Sequence, residues 1–187
     1  MNARVTFARQ AHDFDNQDPM KPPIVNLDTL DPQPLPPEFA PTGAAAERYA
    51  PRIARIGGML GARKLGYSLI VLEPGKRAFP LHHHRVNEEM FFVIEGEGEV
   101  RVGQETHAIR AGDVIACPPG DSETAHQIVN TGAQALRYLA ISTMQSPEVV
   151  EYPDTGRQAV LVADEPGVKG LRAVFRASDS LGYWDGE

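Results

Sequence analysis

The chain has one cysteine, Cys117, among 187 residues. No internal disulfide can form, and a reducing compartment is the expectation. Basic residues are in short supply: 18 Lys and Arg stand against 25 Asp and Glu, for a net charge of −7. A chain this acidic argues against nucleic acid and against an anionic membrane surface, since both select for basic patches. No segment approaches about 18 consecutive apolar residues, so no transmembrane helix is expected. The first residues lack the apolar core of a secretion signal, and a cytoplasmic location is expected. Long amphipathic helical patterns and internal repeats are also missing. Turn residues are plentiful instead, with 17 Gly and 16 Pro.

Seven of the prolines fall between residues 22 and 41. Proline removes a backbone donor and fixes φ, so regular structure is disfavoured there. Ile24, Val25, Leu27, Leu30, Leu35 and Phe39 are too many apolar residues for a plain linker. Residues 1–52 therefore read as an arm docked on the core, with a helical turn or two over Ala44–Tyr49 before Pro51. Residues 64–73 form a strand closed by Pro74-Gly75. Short strand candidates follow at 77–82, 89–95, 99–102, 105–110, 112–117, 125–130 and 135–143, each bounded by turn signals. This spacing predicts an all-β antiparallel sandwich or barrel over residues 53–145. Residues 146–187 read as an extension packed on it. Within that extension Val149–Tyr152 is one more strand, Leu171–Phe175 is a strand or helical turn, and Tyr183 and Trp184 dock the tail. Strand 89–95 is apolar on both faces, which together with the arm suits a homodimer.

Chemistry concentrates in Phe79-Pro-Leu-His82-His83-His84-Arg-Val-Asn-Glu-Glu89. Pro80 argues against a helix. In an extended segment side chains alternate, so His82 and His84 share a face and His83 takes the other. Their bases lie about 6–7 Å apart, a spacing that lets two nitrogens converge on one ion. Glu89 follows a four-residue bridge and opens the next strand. A returning chain would set its carboxylate beside the imidazoles, and two His with one carboxylate suit a transition metal. Further on, His126 opens the strand His126–Asn130. From the residues alone it is either a core histidine or a fourth ligand.

These residues resemble the two motifs of the cupin superfamily. The first motif is matched by Gly75, His82-x-His84, Glu89 and Gly96, and the second by Gly112, Pro118-x-Gly120, His126 and Asn130. Two spacings depart from the pattern: six residues separate Gly75 from His82 where the motif has five, and five separate Gly120 from His126 where it has two. The second departure lengthens the loop beside His126. The resemblance is to a small single-barrel bacterial cupin. It implies a jelly-roll β-barrel with one divalent transition metal (Zn, Mn, Fe or Ni) held by His82, His84, Glu89 and His126.

Three functions stay open at this point. Open positions on the ion suit a lyase or isomerase acting on a small oxygen-rich molecule, such as a sugar or sugar phosphate. The same ligands suit an Fe(II) dioxygenase. A small-molecule binding or sensing module without turnover is the third. Tyr67, Glu123 and Tyr138 are the candidates for moving a proton. Lys76 and Arg77 are candidates for holding a phosphate or carboxylate. Cys117 reads as a buried small residue and His107 as a surface or structural residue. Glu88 is the rival to Glu89 as a ligand.

Overall fold

A computed structural model describes residues 23–164 and 169–187. His12 and the acidic run Asp13–Asp18 lie outside the described residues. In chain order the elements are β1 (Gln33–Pro34), α1 (Ala44–Arg48), β2 (Arg52–Ala54), α2 (Ile56–Leu60), β3 (Leu65–Leu72), β4 (His83–His84), β5 (Glu89–Glu95), β6 (Glu97–Val102), β7 (Glu105–Arg110), β8 (Val114–Cys117), β9 (His126–Val129), β10 (Leu136–Thr143), β11 (Glu148–Tyr152), β12 (Arg157–Val162) and β13 (Leu171–Arg176). The strands form three antiparallel sheets, in the orders β1-β2-β3-β10-β5-β8, β13-β12-β11-β4 and β7-β6-β9. This is the expected all-β jelly-roll barrel. Among the described residues no helix is long and apolar enough to cross a membrane.

Strand alternation builds two apolar layers from one sheet. Ile70 and Leu72 of β3, Phe91 and Val93 of β5, and Leu136 and Tyr138 of β10 face inward, where they meet Val100, Ile109 and Ile128 of the three-stranded sheet. The outward face of the same strands carries Leu69, Ile94 and Leu139, covered by Ile56 of α2 and by Val25, Leu27 and Leu30 of the arm. Strand β5 is thus apolar on both sides because each side meets a different layer.

Several boundaries differ from the sequence reading. Residues 77–82 are not a strand: only Arg77 and His82 make isolated bridges, and the paired strand is just His83–His84. Pro80 has no donor to extend the ladder. Strand 112–117 starts at Val114, because Gly112 closes the preceding turn at φ +96°. Strand β12 had no forecast. Leu171–Arg176 is a strand, and among the described residues it is the outer edge of its sheet. The tail aromatics do not dock: Tyr183 and Trp184 are 89% and 76% exposed and meet each other edge-on.

Two residues of the motifs serve the fold itself. At Gly96 φ is +84°, and a Cβ there would lie 2.5 Å from the Ala135 carbonyl oxygen, so only glycine fits. Asn130 is fully buried; its amide donates to the Leu72 and Gln134 carbonyls, and its oxygen accepts from Gly132 N–H. Alanine at 130 would leave those groups unpaired in the core. We expect Asn130→Ala to lose about 2–3 kcal/mol, read as a lower urea midpoint at constant m-value. An unchanged midpoint would show that water replaces the amide.

Candidate metal centre

Three separate stretches of chain converge at one end of the barrel. His82 and His126 exchange backbone hydrogen bonds of 3.2 and 2.8 Å, which sets their rings side by side. His84 closes β4, and Glu89 opens β5. The long loop before His126 is taken up by a 3₁₀ turn over Ser122–Thr124, with the Asp121 carboxylate accepting from Glu123 N–H. The extra residues bulge outward while His126 keeps its place.

All three imidazoles aim at one atom. Glu89 Oε2 lies 2.9 Å from His126 Nε2, 3.4 Å from His84 Nε2 and 3.8 Å from His82 Nε2. Ligand atoms of His82, Glu89 and His126 all fall within 4.8 Å of one another. His84 is set wider, its ring centroid 6.4 Å from that of His126.

The other ring nitrogens point outward to oxygen atoms. His82 Nδ1 is 2.8 Å from the Pro80 carbonyl, and His126 Nδ1 is 3.4 Å from that of Thr124. His84 Nδ1 is buried 3.5 Å from Glu148 Oε2, without an aligned hydrogen bond. With an ion bound, a proton on each Nδ1, beside its neighbouring oxygen, would leave the Nε2 lone pairs facing inward; without one, Nε2 of His126 donates to Glu89 Oε2 at 2.9 Å. Three such nitrogens with one carboxylate oxygen fit a divalent transition metal.

The electrostatics couple the four groups. Burial, then the charges of His126 and His84, push His82 down to about 4 from an ordinary 6.5, so it is neutral at pH 7. Burial alone would raise Glu89, but hydrogen bonds from His126 and His84 and the histidine charges hold it well below the usual carboxylate range. Burial also works to lower His84, yet the neighbouring Glu89 and Glu148 carboxylates raise it.

A supporting layer comes from β11. Glu148 is buried, and its carboxylate accepts from the backbone N–H groups of Arg85, Val86, Asn87 and Val149 and from the Asn87 side chain. Asn87 in turn accepts from Thr143 Oγ1 and Gln145 N–H. The bridge between His84 and Glu89 is thereby clamped. Tyr152 stacks on His82 at 6.1 Å and 27°, and Phe91 tilts against His126 at 5.4 Å. Burial raises the Tyr152 phenol, while the charges of Arg157 and Arg172 pull it the other way. Neither Glu148 nor Tyr152 was singled out from the sequence; both come from a strand far along the chain that pairs with β4.

The remaining candidates are scattered. His83 points away from the cluster, with its Nε2 3.1 Å from Glu151. Glu88 is exposed, and its backbone N–H donates to Thr143. Tyr138 is buried inside the barrel, edge-on to Phe91 at 5.8 Å. Burial, and then the Glu89 charge, push its phenol far up. Tyr67 packs in the outer layer, on the opposite face of β3 from the cluster. Glu123 is exposed on the 3₁₀ turn. Lys76 is occupied, its Nζ donating to the Glu47 carbonyl at 2.7 Å. Arg77 bridges Tyr49 and Val129 through its backbone. Cys117 is buried, and burial pushes its thiol up to about 12. His107 is exposed beside Glu105.

Parts of the chain are similar to known proteins. A family model described as a cupin domain matches residues 68–142. An oxalate-binding protein from Thermotoga maritima is 33% identical over 75 residues, which is 40% of this chain and 59% of that protein. An uncharacterized protein from Methanocaldococcus jannaschii is 36% identical over 62 residues, covering 33% of this chain and 47% of its own. The chain therefore spans about half the length of the curated relatives it matches. Among solved structures, a sugar phosphate isomerase of the cupin superfamily from Silicibacter pomeroyi aligns with a TM-score of 0.70 at 26% identity, covering 87% of this chain and 98% of that one.

Proposed function

The chain is a cupin-superfamily protein, and from that premise we propose that it is a metal-dependent isomerase or lyase acting on a small oxygen-rich molecule. The observation that carries this reading is the convergence of His82, His84 and His126 on Glu89 Oε2. The similarity to a sugar phosphate isomerase supports a sugar or sugar phosphate as substrate.

In this reading His82, His84, Glu89 and His126 hold the divalent ion. Bound there, it supplies Lewis acidity toward substrate oxygens. The protein's own residues do the rest. Phe91 and Tyr138 wall the interior side and exclude water. Tyr138, raised by burial and by the Glu89 charge, keeps its proton and is a donor, not a base. Tyr152 covers the His82 ring and stands between the cluster and the Arg157 guanidinium. Glu148 holds His84 in place through its Nδ1 edge.

The test is elemental mass spectrometry on untagged protein, wild type beside His126→Ala. It is followed by NMR of aldose and ketose pools, phosphorylated or not, with the metal-loaded protein. Near-stoichiometric metal, lost in the variant, with isomer interconversion or bond cleavage in the wild type, is expected. No metal even after reconstitution would overturn the reading. Iron with O₂ uptake and no isomer interconversion would shift it to the dioxygenase.

A further inference from the structure

Strand register places three arginines beside the site. On β12 and β13 the pairs Arg157↔Arg176, Ala159↔Val174 and Leu161↔Arg172 lie directly opposite one another. Across β11 the same face continues through Tyr152↔Arg157 and Val150↔Ala159, and from Val150 to His84 of the metal cluster. Side chains of directly opposed residues share a face. Arg157, Arg172 and Arg176 therefore stand on the face that carries His84 and Tyr152. The Arg157 guanidinium lies 5.2 Å from the centroid of the Tyr152 ring, whose other neighbour is His82 at 6.1 Å. The Arg172 guanidinium is held 4.5 Å from the ring centroid of Phe39 in the arm.

Two features leave these cations open to an anion. Arg52, Arg85, Arg101 and Arg137 each meet a carboxylate within 3.4 Å. Among the described residues the side chains of Arg157, Arg172 and Arg176 meet none, nor do those of Arg48, Arg55, Arg63, Arg77 and Arg110, but the first three share the face of the cluster; Arg157 Nε donates to Thr155 Oγ1 at 3.0 Å. Arg157 and Arg176 also face each other across the ladder, and like charges directly opposite are destabilising. A dianion bound at Arg157 relieves that repulsion and suits its guanidinium fork, and Arg172, whose charge also reaches Tyr152, adds a second cation on the same face.

We infer that this face of β11–β13 is an anion-recognition wall, and that the substrate carries a phosphate monoester set against Arg157 and Arg172. The inference rests on reading the His82–His126 cluster as the place where substrate reacts. The phosphate end lies over β12 and β13, the carbon chain crosses Tyr152, and the reacting oxygens reach the metal cluster. Arg157 and Arg172 then fix which end of the substrate enters.

The probe is inorganic phosphate, titrated into metal-loaded and chelator-treated protein and followed by calorimetry and backbone amide NMR. Variants are Arg157→Ala, Arg172→Ala and Arg157→Lys, each checked for metal content and circular dichroism. Phosphate is expected to bind both forms and to shift amides of β12 and β13. Each alanine variant weakens it about 10- to 100-fold, and Arg157→Lys, with its charge kept and its fork lost, falls between. Metal content stays at the wild-type level in all three. Phosphate that binds only the metal-loaded form, or equally well in the alanine variants, overturns the wall, as does no binding at millimolar phosphate. A wild type without metal but with arginine-dependent phosphate binding would instead sink the metal reading and leave the wall standing.

Discussion

Replacing Glu148 with alanine is expected to cost about 3–5 kcal/mol of folding stability and to weaken metal binding about 10- to 100-fold. The carboxylate is buried and accepts four backbone N–H groups and one side-chain amide. Burial alone would raise its pKa, but the Asn87 and Val86 donors and the His84 charge lower it, so it is ionised in the folded chain. Alanine removes every acceptor at once and strands the donors that hold the turn between His84 and Glu89. It also frees the Nδ1 edge of His84, which the carboxylate faces at 3.5 Å. For a chain of this size the loss corresponds to a fall of roughly 6–20 °C in Tm. Glu148→Gln keeps one acceptor oxygen but sets an NH₂ against backbone donors, and should fall between wild type and alanine. Urea unfolding of chelator-treated protein, with a metal-competition titration of the loaded form, reads both effects. Full stability in the alanine variant would show that the clamp is not what holds this turn.

Acidification should destabilise the metal-free protein well above the range where ordinary carboxylates titrate. His82 falls from 6.5 to about 4 in the fold. Between those values the unfolded chain binds a proton that the folded chain refuses. Stability therefore drops as pH falls through this window, by about 3 kcal/mol from His82 alone. His84 is raised, so its contribution has the opposite sign: present below 6.5, lost as pH rises through its folded value. Glu89 and Glu148 are both lowered, and their contributions disappear only below the usual carboxylate range near 4.5. The His82 effect is isolated by comparing wild type with His82→Gln by urea unfolding from pH 7 to 4.5. The variant should show a flatter slope. Parallel slopes would mean that the ring takes a proton in the fold as easily as in the unfolded chain. Because protons and metal compete for the same nitrogens, metal loading should steepen the acid loss in wild type.

What could be read from the sequence follows from how local each signal is. The alternation of a strand put His82 and His84 together and His83 apart, and that period needs no tertiary information. The two apolar faces of β5 were visible in the same way. Glu148 and Tyr152 were not visible, because their importance comes from pairing β11 with β4, some 65 residues earlier in the chain. No local pattern marks that partnership. Tyr67 was singled out as a polar aromatic in a strand, but its face is decided by its pairing with Ile141, which turns it to the outer layer. Tyr183 and Trp184 were expected to dock because aromatic residues usually find cover, and here, among the described residues, they stay exposed and meet each other edge-on. Lys76 and Arg77 stood beside a histidine motif in sequence and were drawn elsewhere by the arm. The arginines that do share the site's face lie on strands that the sequence reading left unplaced or ambiguous.

Among the described residues strand β13 is an open sheet edge, with Leu171, Val174 and Phe175 more than 40% exposed. Such an edge is a template for joining another chain. Antiparallel pairing of two copies centred on Val174 would set each Arg172 opposite an Arg176, and this repulsion guards the edge. An anion that neutralises the arginines also lifts the guard. Ligand occupancy and colloidal stability are thus coupled through the same side chains, and phosphate-rich buffer should lower the concentration at which the protein self-associates.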